Sequence, residues 1–160
     1  LAFEELYERY KSSVYTYCLR LLADSAAAED ATQDSFIKLF QGIHSIRQPE
    51  LFRAWLFRIA RNEALLRIRK TRKNGQIDEE SVWETETPHE RFVIKETSEI
   101  VRRMLQELKQ EYREVLVLRE YEQMSYAEIA DVTGATESSV KSRIFKARKA
   151  LTARLKPYFQ

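Results

Sequence analysis

The sequence predicts an all-α protein made of two small helical domains. Only three of its 160 residues are glycine and three are proline, which is too few for a sheet with many turns and favours long helices. Apolar residues recur at helical spacing in both halves, and an acidic stretch interrupts the pattern near the middle. We therefore expect domains at residues 1–73 and 91–160, joined by a flexible acidic linker at residues 74–90.

Three helices are expected in the first domain. The first ends near Asp24, and its apolar stripe consists of Phe3, Leu6, Tyr7, Tyr10, Val14, Tyr17 and Leu21. The second begins near Ser25, and its inner side is marked by Ala28, Ala31, Ser35, Phe36, Leu39 and Phe40. After a loop from Gln41 to Leu51, the third helix is predicted from about Glu50 to Arg72.

The third helix combines arginines with aromatic side chains. Its arginines are Arg53, Arg58, Arg61, Arg67 and Arg69, interleaved with Phe52, Trp55 and Phe57. Charge that holds phosphate beside flat rings that meet exposed bases is typical of proteins that bind single strands or duplex junctions. Trp55 and Ile59 also fit the domain core, whereas the Asn62 amide could bridge phosphate and base edges.

Two polar segments precede that helix. Glu29, Asp30, Gln33 and Asp34 form an acidic patch near the start of the second helix. Favourable placement at the positive end of the helix alone accounts for it, and a docking surface for a partner is the functional alternative. The loop tip from His44 to Gln48 could contact an unstacked base.

Charge is distributed unevenly along the chain although its net value is only +2. The segment 53–73 holds eight basic residues and one acid, and the segment 141–156 holds seven basic residues and no acid. Between them, residues 78–90 hold six acids and no lysine or arginine. This pattern indicates two separate contacts with a polyanion rather than a nonspecific nucleic-acid coat.

The second domain is predicted to end in a helix-turn-helix. Its earlier helices bury two apolar sets, Phe92, Val101, Met104, Leu105 and Leu108, then Tyr112, Val115, Leu116 and Leu118. Ser125 and Glu128 form a capping box, Gly134 supplies a left-handed turn, and Thr136 caps the last helix. That helix buries Val140, Ile144, Ala147 and Leu151 and presents a basic face suited to a major groove.

Composition argues against several other classes of protein. The single cysteine, Cys18, excludes an internal disulfide framework and a cysteine-rich zinc site, and it suits a reducing cytoplasm as a buried thiol. His44 and His89 lack metal-ligand spacing. No nucleophile or carboxylate cluster with a basic partner is evident, so we expect no enzyme, cofactor or metal. No apolar run reaches membrane-spanning length.

Several motifs, in order, resemble those of one family. Ala28-Glu-Asp-Ala-Thr-Gln-Asp-Ser-Phe-Ile37 resembles the polymerase-binding motif of bacterial sigma factors. Phe52-Arg-Ala-Trp-Leu-Phe-Arg-Ile-Ala-Arg-Asn62 resembles the promoter-opening segment of their extracytoplasmic-function (ECF) group. Tyr112-Arg-Glu-Val-Leu-Val-Leu-Arg119 and the helix-turn-helix are similar to that group's region 4. The resemblance implies regions 2 and 4 joined by the linker.

The resemblance also implies site residues and partners. Docking on the β′ clamp helices of core RNA polymerase is implied for Glu29, Asp30, Gln33, Asp34 and Phe36. Contact with minus-ten promoter DNA is implied for His44, Ser45, Arg47, Trp55, Arg58, Arg61 and Asn62. Contact with minus-thirty-five DNA is implied for Thr136, Ser138, Ser139, Lys141, Ser142, Arg143 and Lys146. Candidates for the polymerase β flap are Val115, Leu118 and Tyr121.

Such a sigma factor would act in the bacterial cytoplasm, in a stress or envelope response, under an anti-sigma factor. The chain departs from the family pattern at Leu66, where an aspartate is common, at Glu63, which takes a usually apolar position, and at Ser138-Ser139, where Gly-Thr is usual. The alternative hypothesis is a stand-alone helix-turn-helix regulator, which would bind operator DNA without polymerase, usually as a dimer.

Overall fold

The computed structural model describes residues 3–45, 48–73 and 96–158, and all of its regular elements in these ranges are helical. The expected all-α, two-domain fold is confirmed. The predicted linker, Arg47 and Phe92 lie outside the described residues. In the N-terminal domain, α1 spans Phe3–Leu22, α2 spans Ser25–Gly42 and α3 spans Phe52–Lys73. Short 3-10 turns at Ile43–Ser45 and Pro49–Leu51 join α2 to α3.

The predicted stripes pack the three N-terminal helices around one core. Val14, Tyr17 and Leu39 are fully buried, and the Tyr17 ring meets Phe57 at 5.5 Å between centroids. The backbone turns sharply at Ala23, whose φ is +55°, and the Asp24 carboxylate then caps α2 by accepting a hydrogen bond from the backbone N–H of Ala27. These local features fix the α1–α2 hairpin.

Two expectations for α2 need correction. Phe40, predicted on the inner side, is 59% exposed, because the helix turn that buries Leu39 carries its neighbour to the outer face. The Phe40 ring leans edge-on against Phe3, 5.1 Å away between centroids. The predicted loop from Gln41 is also shorter than expected, since α2 continues to Gly42.

Cys18 is the buried thiol that its sequence position predicts. Burial raises its pKa to about 12, although a hydrogen bond with Thr32 opposes the rise. The thiol therefore stays protonated and packs as a small apolar group.

An ionic network joins α2 to α3. Glu63 is only 4% exposed, and its carboxylate accepts hydrogen bonds from Lys38 and, at 2.9 Å, from Arg67. Arg67 also donates to Asp34 at 2.5 Å. Burial favours the neutral acid, but the hydrogen bonds and charges of Lys38 and Arg67 outweigh it and lower the Glu63 pKa. A carboxylate at a usually apolar position is thus compensated by two cations.

The C-terminal domain contains α4 at Glu96–Glu107, α5 at Gln110–Leu116, α6 at Tyr126–Thr133 and α7 at Glu137–Leu155. A π-helical turn at Val117–Tyr121 extends α5, and a 3-10 turn follows α7 at Lys156–Tyr158. Its core includes Met104, Leu105, Leu108, Val115, Leu116, Leu118 and Met124. The assignment of Val115 and Leu118 to the β-flap contact is wrong, because both side chains are fully buried and unavailable to a partner. The third candidate, Tyr121, is 48% exposed.

The helix-turn-helix forms as the sequence predicts. The Ser125 hydroxyl accepts from the Glu128 N–H at 3.1 Å, and the Glu128 carboxylate accepts from the Ser125 N–H at 3.3 Å. Gly134 ends α6 with φ +73°, a left-handed conformation that favours glycine. The Thr136 hydroxyl accepts from the Ser139 N–H at 3.1 Å and starts α7. The predicted residues Val140, Ile144 and Ala147 of α7 are buried, and Leu151 is partly buried.

The two domains pack directly against each other. Helix α3 lies along α6, α1 contacts α5, and the buried residues of both domains form one apolar cluster. The Gln106 amide donates to the carbonyl of Arg20 at 3.0 Å, and Arg113 donates to the carbonyl of Leu21 at 3.5 Å. The C-terminal end of α1 is therefore anchored in the second domain. Among the described helices, none is both long and apolar enough to cross a membrane.

Acid should weaken the fold through Glu63. Its folded pKa lies below the ordinary 4.5, so its stabilising effect is complete above that value and is lost as the pH falls through the folded pKa. We expect Glu63→Gln to lower the unfolding free energy at neutral pH by roughly 1–3 kcal/mol and to flatten its fall below pH about 4.5. Urea denaturation at several pH values measures both effects.

The control is Glu111→Gln, which removes an exposed carboxylate from α5. It should flatten the acid-induced fall of the unfolding free energy less than Glu63→Gln does. If Glu63→Gln and the parent protein gave parallel curves, Glu63 would not be the group responsible.

Candidate functional site

The outer face of α2 carries an acidic patch with apolar side chains beside it. Glu29, Asp30 and Gln33 are exposed, as predicted for a surface that meets a partner. The Asp34 side chain is half exposed and held by Arg67. Phe36 does not belong to this surface, because it is 3% exposed.

Phe36 fills the space between α1 and α2. Its ring meets Phe3 at 6.4 Å and Tyr7 at 4.9 Å between centroids. The apolar residues on the exposed face are Ile37, 54% exposed, and Phe40. Both follow Gln33 at helical spacing, four and seven residues on, which is the signal that identifies them in the sequence.

A cavity of about 510 Å³ lies beside the turn between α2 and α3. It is lined by Ser45, Gln48, Leu51, Ala54, Trp55, Arg58 and Asp131. Three of the predicted residues, Ser45, Trp55 and Arg58, are thus brought together, and His44 is exposed on the same turn. The Trp55 ring lies so near Gly42 that a Cβ there would stand 3.0 Å from its Cζ2 atom. Glycine permits this close approach.

Of the other predicted residues of α3, one faces solvent and one contacts the C-terminal domain. Asn62 is exposed. Arg61 instead turns toward the C-terminal domain, where its Nε donates to Glu114 at 2.7 Å. Burial disfavours the charge of Arg61, but the hydrogen bond and charge of Glu114 outweigh burial and raise the Arg61 pKa. Arg58 lines the cavity and donates from Nε to the carbonyl of Asp131 at 2.8 Å.

Helix α7 presents a polar face opposite its buried stripe. Its exposed members include the predicted residues Ser138, Lys141, Ser142 and Lys146, with Thr136 exposed at the N-cap and Ser139 and Arg143 half-buried. Phe145 lies among them and is 69% exposed. It was missed because the candidates were chosen for polarity, although its position, four residues after Lys141 and off the buried stripe, identifies it as outward.

Metal-ligating chemistry has no visible support in these surfaces. Within residues 3–45, 48–73 and 96–158, no group of three or more His, Cys, Asp or Glu side chains could hold a metal ion. His44 lies on an exposed turn, and His89 is outside the described residues. The surfaces assembled here suit recognition of a protein and of a polyanion.

Comparison with known proteins gives two family matches in chain order. Residues 6–74 match the family described as Sigma-70 region 2, and residues 98–151 match Sigma-70, region 4. The first match covers the acidic face and the cavity lining except Asp131, and the second covers Asp131 and the helix-turn-helix.

Similar proteins span almost the whole chain. The ECF RNA polymerase sigma factor SigW of Bacillus subtilis is 30% identical over 97% of this chain and 89% of its own length. The ECF RNA polymerase sigma-E factor of Escherichia coli is 30% identical over 98% of this chain and 87% of its own.

Solved structures agree. The sigma factor RpoE in complex with the anti-sigma factor NepR, from Bartonella quintana, has a TM-score of 0.81 at 25% identity, covering 96% of each chain. CnrH in complex with the cytosolic domain of CnrY has a TM-score of 0.70 at 26% identity, covering 97% of this chain and 88% of CnrH. The chain therefore belongs to the ECF group of bacterial RNA polymerase sigma factors, which bind core RNA polymerase and direct promoter-specific initiation of transcription.

Proposed function

We propose that this sigma factor uses three separate surfaces: the outer face of α2 for core polymerase, the cavity beside α3 for the minus-ten element, and the polar face of α7 for the minus-thirty-five element. The single observation that carries the proposal is that these three surfaces lie at different places on one chain. Each DNA contact is small and binds weakly alone. When both domains are docked on polymerase, binding of one DNA element makes binding of the second effectively intramolecular.

The α2 face has the composition of a protein-docking site. Exposed Ile37 and Phe40 supply apolar area, and Glu29, Asp30 and Gln33 supply a polar and acidic margin. Exposed large apolar side chains beside such a margin are typical of interfaces. We assign this face to the β′ clamp helices, with Ile37 and Phe40 taking the apolar role that the sequence had suggested for Phe36.

The part of the cavity lining that belongs to α3 and the turn before it suits an extruded base. Trp55 offers a flat ring for stacking, Ser45 offers a hydroxyl for a base edge, and Arg58 offers charge for phosphate. Capturing an unpaired base in such a pocket offsets the cost of strand separation. His44, Arg47 and Asn62 remain proposed minus-ten contacts, and Arg61 joins them when it is free of Glu114.

The α7 face is proposed to enter the major groove. Lys141 and Lys146 supply phosphate contacts, and Ser138 and Ser142 supply hydrogen bonds to base edges. Exposed Phe145 is an apolar group of the type that packs on a thymine methyl. We therefore add Phe145 to the predicted minus-thirty-five residues.

Regulation by an anti-sigma factor in the bacterial cytoplasm is proposed from the relatives, since one of the similar structures is a sigma factor in complex with an anti-sigma factor. A stress or envelope-response regulon is proposed with it. The domain limits 1–73 and 91–160 also remain proposals, and the two family matches, at 6–74 and 98–151, support them.

Transcription by the reconstituted holoenzyme tests the proposal as a whole. Adding the chain to sigma-free core polymerase and genomic DNA fragments should yield transcripts with discrete start sites. The transcripts are to be sequenced at their 5′ ends and compared with those of core polymerase alone. Absence of specific starts, together with tight operator-like binding to DNA alone, would support a stand-alone regulator instead.

Charge reversal on α2 should weaken docking. We expect Glu29→Lys combined with Asp30→Lys to reduce affinity for core polymerase about tenfold, because attraction is replaced by repulsion. Asp34 is unsuitable for this test, because its reversal would also break its pair with Arg67.

Glu4→Lys combined with Glu5→Lys is the matched control for docking, since both glutamates are exposed on α1 and the net charge changes equally. Affinity is to be measured by titrating labelled sigma factor with core polymerase. Equal affinity of the α2 variant and the control would refute the proposed docking face.

Removal of a basic side chain and removal of the aromatic side chain on α7 should affect DNA binding differently. Lys141→Ala and Arg143→Ala should weaken holoenzyme binding to all promoters alike and reduce the salt dependence by about one phosphate contact each. Phe145→Ala should change base preference within the upstream element and leave the salt dependence intact.

The α7 measurements use promoter duplexes with single base changes over a range of salt concentrations. Lys156→Ala, at an exposed site beyond α7, controls for loss of one positive charge. A salt-dependence change with Phe145→Ala, or unchanged base preference, would remove Phe145 from the reading surface.

A further inference from the structure

At the interface between the two domains, groups of the C-terminal domain accept hydrogen bonds from the arginines of α3. Arg53 donates from Nε and Nη2 to both oxygens of Glu128 at 2.7–3.0 Å. Its Nη1 donates to the carbonyl of Glu122 at 3.1 Å. Burial disfavours the Glu128 carboxylate, but Arg53 and the N–H of Ser125 together lower its pKa. A bidentate pair of this kind has the geometry in which arginine also holds phosphate.

A second pair lies deeper in the same interface. The Glu114 side chain is 1% exposed, and Arg61 donates to its two oxygens at 2.7 and 3.2 Å. A carboxylate so far from water requires its cation, because an unpaired charge there is strongly unfavourable. In this arrangement Arg61 cannot reach a DNA strand.

The C-terminal domain also borders the cavity beside α3. Asp131 of α6 forms part of its wall, and the Asp131 carbonyl accepts the hydrogen bond from Arg58. Groups of the C-terminal domain therefore engage Arg53, Arg58 and Arg61 at once. A strand approaching this face meets guanidinium groups that already donate to carboxylates and carbonyls of the other domain, and of the three only Arg58 is exposed.

We propose that the isolated chain is closed by an ionic latch, in which Glu114 and Glu128 of the C-terminal domain hold the α3 arginines that promoter DNA needs. The proposal deepens the assigned minus-ten site and rests on that assignment. DNA phosphates and the two glutamates compete for the same guanidinium groups. Minus-ten binding therefore requires the domains to separate, and apparent DNA affinity is reduced by the fraction of closed molecules.

The comparison with solved structures agrees with a stable closed form. A TM-score of 0.81 over 96% of the chain requires both domains to superpose together, not one alone. The two domains are thus arranged as in a relative that is bound to an anti-sigma factor. An inhibitor of this type would bind a form that the latch already populates.

The test removes the two latch charges without touching α3. Gln at position 128 still suits a capping box, so Glu114→Gln with Glu128→Gln should keep the helices and weaken only the latch. Small-angle scattering should show a larger radius of gyration. Anisotropy with a labelled mixed-sequence single strand of about 20 nucleotides should show about tenfold tighter binding without polymerase.

The matched control is Glu107→Gln with Glu120→Gln. These glutamates pair with Arg154 and Arg148 inside the C-terminal domain, so the net charge changes equally and the interface stays intact. This variant should keep the parent radius of gyration and gain far less affinity for the strand. If Glu114→Gln impairs folding, as far-ultraviolet circular dichroism would reveal, Glu128→Gln alone carries the test with a smaller expected gain.

Two outcomes would overturn the latch: an unchanged radius of gyration, or equal strand affinities of the latch and control variants. Run-off transcription with core polymerase separates this from failure of the assigned function. A parent protein that initiates transcription, with latch variants that remain closed, refutes the latch alone. A parent protein without specific transcription refutes the assignment on which the latch rests.

Discussion

The burial of the Glu114 carboxylate is the constraint on which the arrangement of the two domains depends. A charge that is 1% exposed needs a cation, and Arg61 of α3 supplies it from the other domain. Once this pair is formed, α5 lies against α1 and α6 lies along α3, which brings Arg53 to Glu128 and Arg58 to Asp131. The arginines that hold the two domains together are therefore the same ones that are proposed to contact DNA.

Features encoded by short-range spacing could be predicted from the sequence. The Ser125 capping box, the left-handed Gly134, the Thr136 cap and the stripe from Val140 to Ala147 depend on neighbours within a few residues, and all are present. The face of α2 was predicted less well. Phe36 and Phe40 both fit an apolar periodicity, and only the position of α1, which covers Phe36, decides between them.

Long-range partners were beyond prediction. Periodicity placed Val115 and Leu118 on the buried side of their helix, and both are buried; their assignment to the β flap came from the family resemblance, which carries no information on burial. Likewise the arginines of α3 read as free cations in the sequence, because Glu114 and Glu128 lie more than fifty residues away. Opposite charges that meet only through tertiary packing leave no local signal, so a basic run was interpreted as available charge.

The double use of Glu128 has a mechanical consequence. Its carboxylate accepts the N–H of Ser125 as well as the Arg53 guanidinium, so loss of the arginine leaves the start of α6 capped. The helix-turn-helix then moves as a rigid body and need not refold when it leaves α3. Hinge motions of folded domains take microseconds to milliseconds. The sigma factor can therefore change between the closed and the DNA-binding arrangement without unfolding its helix-turn-helix.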